Sequence, residues 1–300
     1  MSALGRKQTL HECRERVESG HSLTYPERMD SAFKTGTGNL PAQHAGFLKQ
    51  LLSHLRIDER IVAVLAGGSM IHGGFDELSD LDLLLVVEEH AYAAVAADKR
   101  QIAAGLGDLL AAFTGEHVGE PRLLICLYGP ELLHVDLKFV VRSDLDQLVE
   151  RPIVLWVRDQ AGVEAQLQAA AIHWPDQSPE WFEERVWIWL HYGATKLKRG
   201  ELFEAIGMIA FIREQVLGPM LHRRLGRPQR GVRRIEQLEQ GSEMLRQVVA
   251  DHTRESVAAA LRNAVNLYLE LRGDESPTIS VRGMPELLLS FIDGPNSVES

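Results

Sequence analysis

Two aspartates, Asp80 and Asp82, stand one residue apart between a glycine-rich turn and an aliphatic run in LAGGSMIHGGFDELSDLDLLLVV, residues 65–87. Successive side chains of a strand point to opposite faces, so a strand here places both carboxylates on one face and Leu81 and Leu83 on the other. Two carboxylates side by side in an apolar sheet repel each other unless a cation lies between them. Mg²⁺ prefers oxygen ligands and is often held by one or two carboxylates together with substrate phosphates. The spacing therefore predicts metal ligands, and a solvated strand entry is the plain alternative.

A third carboxylate, Asp136, lies in the apolar segment LLHVDLKFVV, residues 132–141. Its neighbours on the same strand face are His134 and Lys138, two residues away on either side. If this strand pairs beside the Asp80 strand, three carboxylates converge, as two-metal phosphoryl transfer requires. Two other readings remain open: Asp136 as an ion-pair partner of Lys138 across an exposed sheet face, and His134 as a packing or positioning residue rather than a ligand.

The turn before the aspartates has the composition of a phosphate-binding loop. Gly67 and Gly68 allow another group to approach the backbone closely. Ser69 and its amide can donate hydrogen bonds to a phosphate oxygen at a helix start. We therefore predict that these three residues contact a phosphate group of a ligand.

The arrangement Gly-Gly-Ser, ten further residues and then Asp-x-Asp resembles the signature of the DNA polymerase β-type nucleotidyltransferase superfamily. The positions of Gly73, Asp76 and the Ser79–Asp80 pair resemble the antibiotic-type branch, which includes aminoglycoside and lincosamide nucleotidyltransferases. The specific part of the resemblance covers about 75 residues, from roughly 65 to 140.

The resemblance implies a role for each of the residues singled out above. Asp80 and Asp82 would bind Mg²⁺, and Asp136 would be a further metal ligand or the general base. Gly68 and Ser69 would hold the substrate, a nucleoside triphosphate. Two Mg²⁺ ions, bound by the aspartates, would be the cofactors. The implied reaction transfers a nucleoside monophosphate to an acceptor hydroxyl and releases pyrophosphate.

Three further features bear on phosphate contacts and are left open by the sequence. Many relatives carry arginine where this chain has His72, so a phosphate contact at that position is undecided. Lys196 and Lys198 lie in a segment that resembles the helix packed over the nucleotide cleft; they are candidate triphosphate contacts, and a solvated helix face explains them equally well. Residues 213–234 contain seven arginines, which indicate either a solvated loop or a surface for RNA or substrate phosphate.

Hydrophobic periodicity predicts the elements around these motifs. Short β-branched and aliphatic runs predict strands over residues 61–66 and 80–87, and an alanine-rich segment predicts a helix over Glu89–Phe113. Two apolar runs joined at Gly129–Pro130 predict a hairpin. Apolar residues recur every three or four positions from about residue 181 to 271, which predicts several helices.

These elements predict an α+β fold. A nucleotidyltransferase domain over residues 41–170, with a small mixed β-sheet flanked by helices, follows an N-terminal extension of residues 1–40. A C-terminal helical bundle over residues 171–290 completes the chain.

Composition limits the partners and the location. The 300-residue chain has a formal net charge of −10, which argues against a duplex-DNA binder, because affinity for phosphate backbones depends on clustered Lys and Arg. No apolar run reaches the length of a membrane helix, and the N-terminus does not resemble a secretory signal. Two cysteines, Cys13 and Cys126, are too few for a disulfide framework. We therefore expect a cytoplasmic enzyme that uses a nucleoside triphosphate and a small hydroxylated acceptor, an aminoglycoside-like antibiotic being one candidate. A tRNA or protein acceptor, and a nucleotide-binding regulator without turnover, are the alternatives.

Overall fold

The computed structural model describes residues 40–294, apart from the side chain of Gln240. The predicted N-terminal extension therefore lies, except for Leu40, outside the described residues. Within them the chain packs as two compact units, residues 40–173 and residues 174–294.

The first unit is built on a mixed six-stranded sheet. Its strands are β1 (Ile61–Ala66), β2 (Leu81–Val87), β3 (Leu109–Gly115), β4 (Glu120–Tyr128), β5 (Leu133–Val141) and β7 (Ile153–Val157). Their order across the sheet is β3-β4-β5-β2-β1-β7. β2 and β5 run parallel, and every other neighbouring pair in this sheet is antiparallel. Two short strands, β6 (Gln147–Leu148) and β8 (Ala171–Ile172), form a separate parallel pair. The helices are α1 (Ala42–Leu55), α2 (Ser69–His72), α3 (Tyr92–Gly105) and α4 (Gln160–Ala169).

The sheet is apolar on both faces because each face has its own helices. Leu81, Leu83 and Leu85 are fully buried in one cluster with apolar side chains of α1 and α3. Val86 belongs to the second cluster, together with Val163 of α4. Strand alternation places Asp82 on the same face as Val86, so the carboxylate shares the second face. The predicted direction of the leucines is confirmed.

The helix predicted over Glu89–Phe113 is wrong in its C-terminal part. α3 ends at Gly105, and residues Leu109–Gly115 form the edge strand β3. β3 pairs antiparallel with β4. Alanine and leucine favour a helix locally, but pairing along a sheet edge decides the structure here, because strand formation depends more on neighbours than on intrinsic preference. The predicted hairpin at Gly129–Pro130 is confirmed by the antiparallel β4–β5 pair.

The second unit is helical, as predicted. It contains α5 (Pro179–Arg199), α6 (Leu202–Ile212), α7 (Gly218–Arg224), α8 (Glu239–Arg246), α9 (Arg254–Arg272) and α10 (Glu286–Asp293). At the start of α5, the Ser178 hydroxyl accepts a hydrogen bond from the Trp181 amide. The helix is closed by Gly200, which has a left-handed backbone conformation. Phe182 and Tyr268 are among the side chains fully buried in the core of this unit. None of the helices in the described residues is long and apolar enough to cross a membrane. The mixed sheet of the first unit and the helices of the second confirm the predicted α+β class.

Candidate active site

The parallel pair of β2 and β5 brings the predicted carboxylates together. Their register sets Asp82 directly opposite Asp136. Both residues are almost completely buried, at 1% and 0% exposure. Asp80 stands one residue before β2 and is partly exposed. The sheet therefore holds two carboxylates inside and a third at the strand entrance.

The two oxygens of Asp136 have different surroundings. Oδ1 lies 3.1 Å from His134 Nε2. Oδ2 is buried and has no hydrogen-bond partner among residues 40–294. Burial raises the pKa of Asp136, the His134 contact opposes that rise, and the charge of Asp80 adds to it. A buried carboxylate oxygen without a donor is costly, and a bound cation would remove that cost.

His134 shares the electrostatics of this cluster. Its hydrogen bond to Asp136 raises the pKa of the imidazole, burial lowers it, and the charges of Asp136, Asp80 and Asp82 raise it further. The net shift is upward, so the ring takes a proton more readily than in water and then donates to Asp136. This contact fits the predicted positioning role.

Lys138 is the ion-pair partner that the sequence offered for Asp136, but the structure pairs it with another carboxylate. Its Nζ forms an ion pair of 2.7 Å with Glu120 Oε2. Glu120 also receives the Arg122 guanidinium at 2.7 Å. The lysine charge is therefore committed to a carboxylate on β4, and the ion-pair reading of Asp136 loses its basis.

The glycine turn packs directly on Asp82. The Gly67 amide donates to the Asp82 carbonyl at 2.9 Å. Gly68 has φ +59°, and a Cβ at this position would lie 1.8 Å from Asp82 Oδ2. Only glycine fits such an approach. Ser69 is buried, and its Oγ has no hydrogen-bond partner in the described part of the chain.

A residue that the sequence did not reveal, Glu150, lies against the same turn. Its Oε1 accepts the Gly68 amide at 2.8 Å, and its Oε2 lies 2.6 Å from His72 Nε2. Glu150 comes from the segment between β6 and β7, 82 positions after Gly68. A single acidic residue in such a segment carries no motif, so sequence reasoning had no signal for it.

The donor set fits a divalent cation with an incomplete protein shell. No group of three His, Cys, Asp or Glu side chains within residues 40–294 forms a ready-made metal site. The chain offers the buried pair Asp82 and Asp136, with Asp80 close enough for its charge to raise the pKa of Asp136. Mg²⁺ suits such a site, because it commonly binds one or two carboxylates and completes its octahedron with water and substrate phosphates.

The predicted lysines lie in the helical unit, near the C-terminal end of α5. Lys196 Nζ pairs with Glu201 at 2.5 Å and Glu204 at 2.9 Å. Lys198 is buried, and its Nζ donates to the Gly294 carbonyl at 2.8 Å. Both ammonium groups thus have partners inside their own unit, and their contact with a triphosphate stays a prediction.

The arginine-rich stretch has several internal partners. Arg223 pairs with Glu275 at 2.8 Å, and Arg224 pairs with Glu270 and Asp274 at 2.6 Å each. Arg227 is exposed. Part of the local excess of arginine is therefore structural.

No protein-family model matches the chain, and no curated protein matches it. Among solved structures, it is similar to an aminoglycoside 6-adenyltransferase from Bacillus subtilis, with 15% identity, a TM-score of 0.31, and coverage of 75% of this chain and 88% of that one. It is also similar to a nucleotidyltransferase-like protein from Exiguobacterium sibiricum 255-15, with 11% identity, a TM-score of 0.35, and coverage of 74% of this chain and 73% of that one. Overlays this loose assign no residue role and no substrate to this chain.

Proposed function

We propose that the protein is an Mg²⁺-dependent nucleotidyltransferase. It would transfer a nucleoside monophosphate from a nucleoside triphosphate to a hydroxyl of a small molecule and release pyrophosphate. The observation that carries this proposal is the register of β2 and β5, which sets Asp82 opposite Asp136. The glycine turn beside Asp82 supplies the second requirement, a backbone that a phosphate can approach closely.

The carboxylates divide into metal ligands and a proton acceptor. Asp80 and Asp82 would hold two Mg²⁺ ions, with Asp136 as a further ligand or as the general base. When bound, the metal neutralises charge that develops on the phosphoryl oxygens. The raised pKa of Asp136 favours the role of base, because a carboxylate with a raised pKa takes a proton more readily. His134 would keep Oδ1 oriented while the other oxygen acts.

The reaction that these groups support is an in-line displacement. Asp136 accepts the proton of the acceptor hydroxyl as the hydroxyl oxygen forms a bond to the α-phosphorus. The bond from that phosphorus to the bridging oxygen breaks, and pyrophosphate leaves. The Gly68 amide and the Ser69 hydroxyl donate to the triphosphate and hold it in place.

A small hydroxylated acceptor, such as an aminoglycoside-like antibiotic, fits the charge of the chain. The formal net charge of −10 and the carboxylates at the site favour a compact cationic molecule over a polynucleotide. Purified protein would be incubated with Mg²⁺, each nucleoside triphosphate and a panel of aminoglycosides and other polyols. We expect pyrophosphate release with at least one pair and a loss of at least a hundredfold in Asp82→Asn. Silence with every pair would remove the proposal.

A regulator that binds nucleotide without turnover is the second candidate, and the position of Glu150 favours it. This carboxylate already occupies the Gly68 amide and His72. Calorimetry with a non-hydrolysable triphosphate and single-turnover assays separate the candidates. Binding with no product in a single turnover selects the regulator.

Transfer to a tRNA or a protein would need a docking surface. Because Arg223 and Arg224 form ion pairs within the helical unit, reversing their charge would disturb the fold. Arg227→Glu is the cleaner test. A macromolecular acceptor would lose affinity for this variant, whereas a small acceptor would react unchanged.

A further inference from the structure

Both carboxylate oxygens of Glu150 form hydrogen bonds, one with the glycine turn and the other with His72, the last residue of α2. Oε1 accepts the Gly68 amide at 2.8 Å, and Oε2 contacts His72 Nε2 at 2.6 Å. A Cβ added to Gly67 would lie 3.2 Å from Oε1, so the carboxylate lies close against the turn. Its side chain is only 19% exposed.

This pair of donors is a set that binds anions. A backbone amide and an imidazole donate equally well to a carboxylate and to a phosphate oxygen, and bonds to charged acceptors are the strong ones. The single hydrogen of a backbone amide forms one well-aligned hydrogen bond at a time, so two acceptors cannot share it without weakening both bonds. A phosphate that approached the Gly68 amide while Glu150 stayed there would also meet a like charge at contact distance.

We infer that Glu150 stands in for a nucleotide phosphate and that triphosphate binding exchanges the two. The phosphate takes the Gly68 amide from Oε1, and His72, released from Oε2, becomes a phosphate donor. This inference rests on the proposed function, since it names the residue that the triphosphate must displace. It also makes His72 a phosphate donor, a role that the sequence left undecided.

The exchange is a side-chain movement, because contacts on both sides of Glu150 hold the chain in place. The Arg151 guanidinium donates to the Leu167 carbonyl. β6, just before Glu150, pairs with β8. The carboxylate can leave the turn while the segment that carries it keeps its place.

Removing the internal anion should strengthen triphosphate binding. Each non-hydrolysable α,β-methylene analogue of ATP, GTP, CTP and UTP would be titrated calorimetrically with Mg²⁺ against the full chain. We expect Glu150→Ala to bind the preferred analogue about tenfold more tightly, the size of one charge-assisted hydrogen bond no longer in competition. Glu150→Gln should lie between wild type and alanine, because its amide oxygen still accepts but carries no charge. Glu164→Gln is the matched control: it removes the same charge from α4, where the carboxylate contacts Gln168, and should change affinity less than twofold.

The Gly68 amide itself provides a readout that a purely structural role would not move. In protein labelled with ¹⁵N-glycine, the Gly68 signal should differ between free wild type and free Glu150→Ala. The two signals should converge once each protein is saturated with the analogue, because the phosphate is then the acceptor in both. Two results would show that Glu150 remains on the turn and shapes it: signals that stay apart, or weaker binding by the alanine and glutamine variants. Either result would overturn the proposed exchange but leave the proposed function standing. If neither wild type nor any variant binds any analogue, the proposed function falls with it.

Discussion

Gly68→Ala is the substitution whose effect can be worked most directly from the structure. The backbone has φ 59° and ψ −133°, a region that alanine enters at a cost of about 1–3 kcal/mol. The new methyl would also lie 1.8 Å from Asp82 Oδ2 and 2.8 Å from its Cγ. Because Asp82 is buried, its carboxylate must rotate away or the turn must lift, and such crowding costs about 1–3 kcal/mol more.

Gly73→Ala separates the two contributions. Gly73 has φ 77° and ψ 172° in the same segment, and nothing lies within 4 Å of a Cβ added there. It carries the backbone cost without the collision. We therefore expect Gly68→Ala to lose about 1–3 kcal/mol more stability than Gly73→Ala. Gly68→Ala should also lose most of the proposed Mg²⁺–triphosphate binding. Hydrogen exchange of the β1 and β2 amides measures the opening free energy in each variant. Equal losses in the two variants would refute the close approach of Gly68 to Asp82.

Three further predictions concern charges. Asp136→Asn should raise the free energy of unfolding at pH 7, because the raised carboxyl pKa means that ionised Asp136 destabilises the fold at pH values above that pKa. The same variant should abolish the proposed pyrophosphate release. Urea unfolding at pH 7 tests the stability, and a less stable variant contradicts the prediction. For Glu120, burial raises the pKa, but the bonds and charges of Arg122 and Lys138 outweigh burial and lower the pKa to about 2. Glu120→Gln should therefore cost roughly 2 kcal/mol at pH 7, and urea unfolding at several pH values should show the difference fading from about pH 4.5 towards pH 2. Arg224→Ala breaks two partly exposed ion pairs and should lower stability by about 1–2 kcal/mol without affecting nucleotide binding, as thermal unfolding and calorimetry would show.

The part of the site that follows from strand alternation was accessible from the sequence. The spacing of Asp80 and Asp82, and the apolar neighbours of Asp136, predict strands with a polar and an apolar face, and the parallel pair places Asp82 opposite Asp136. The contact of Glu150 with Gly68 was not accessible, because it joins segments that share no pattern and depends on how the β6–β7 segment packs. β3 was missed for a related reason: only its pairing with β4 makes an alanine-rich stretch a strand.

The leucines of β2 help the sheet to tolerate the buried carboxylate of Asp82. Leu81, Leu83 and Leu85 are each fully buried on the face opposite Asp82. At about 1.5–3 kcal/mol for each buried leucine, they contribute roughly 5–9 kcal/mol, which exceeds the several kcal/mol that one buried charge costs. They also fix the register, because a slip of one residue would turn the leucines towards the site and Asp82 into the core. The position of the carboxylate beside Asp136 is thus a consequence of packing on the other face. Leu83→Ala should then weaken the proposed Mg²⁺ binding as well as stability, although Leu83 lies on the face opposite Asp82.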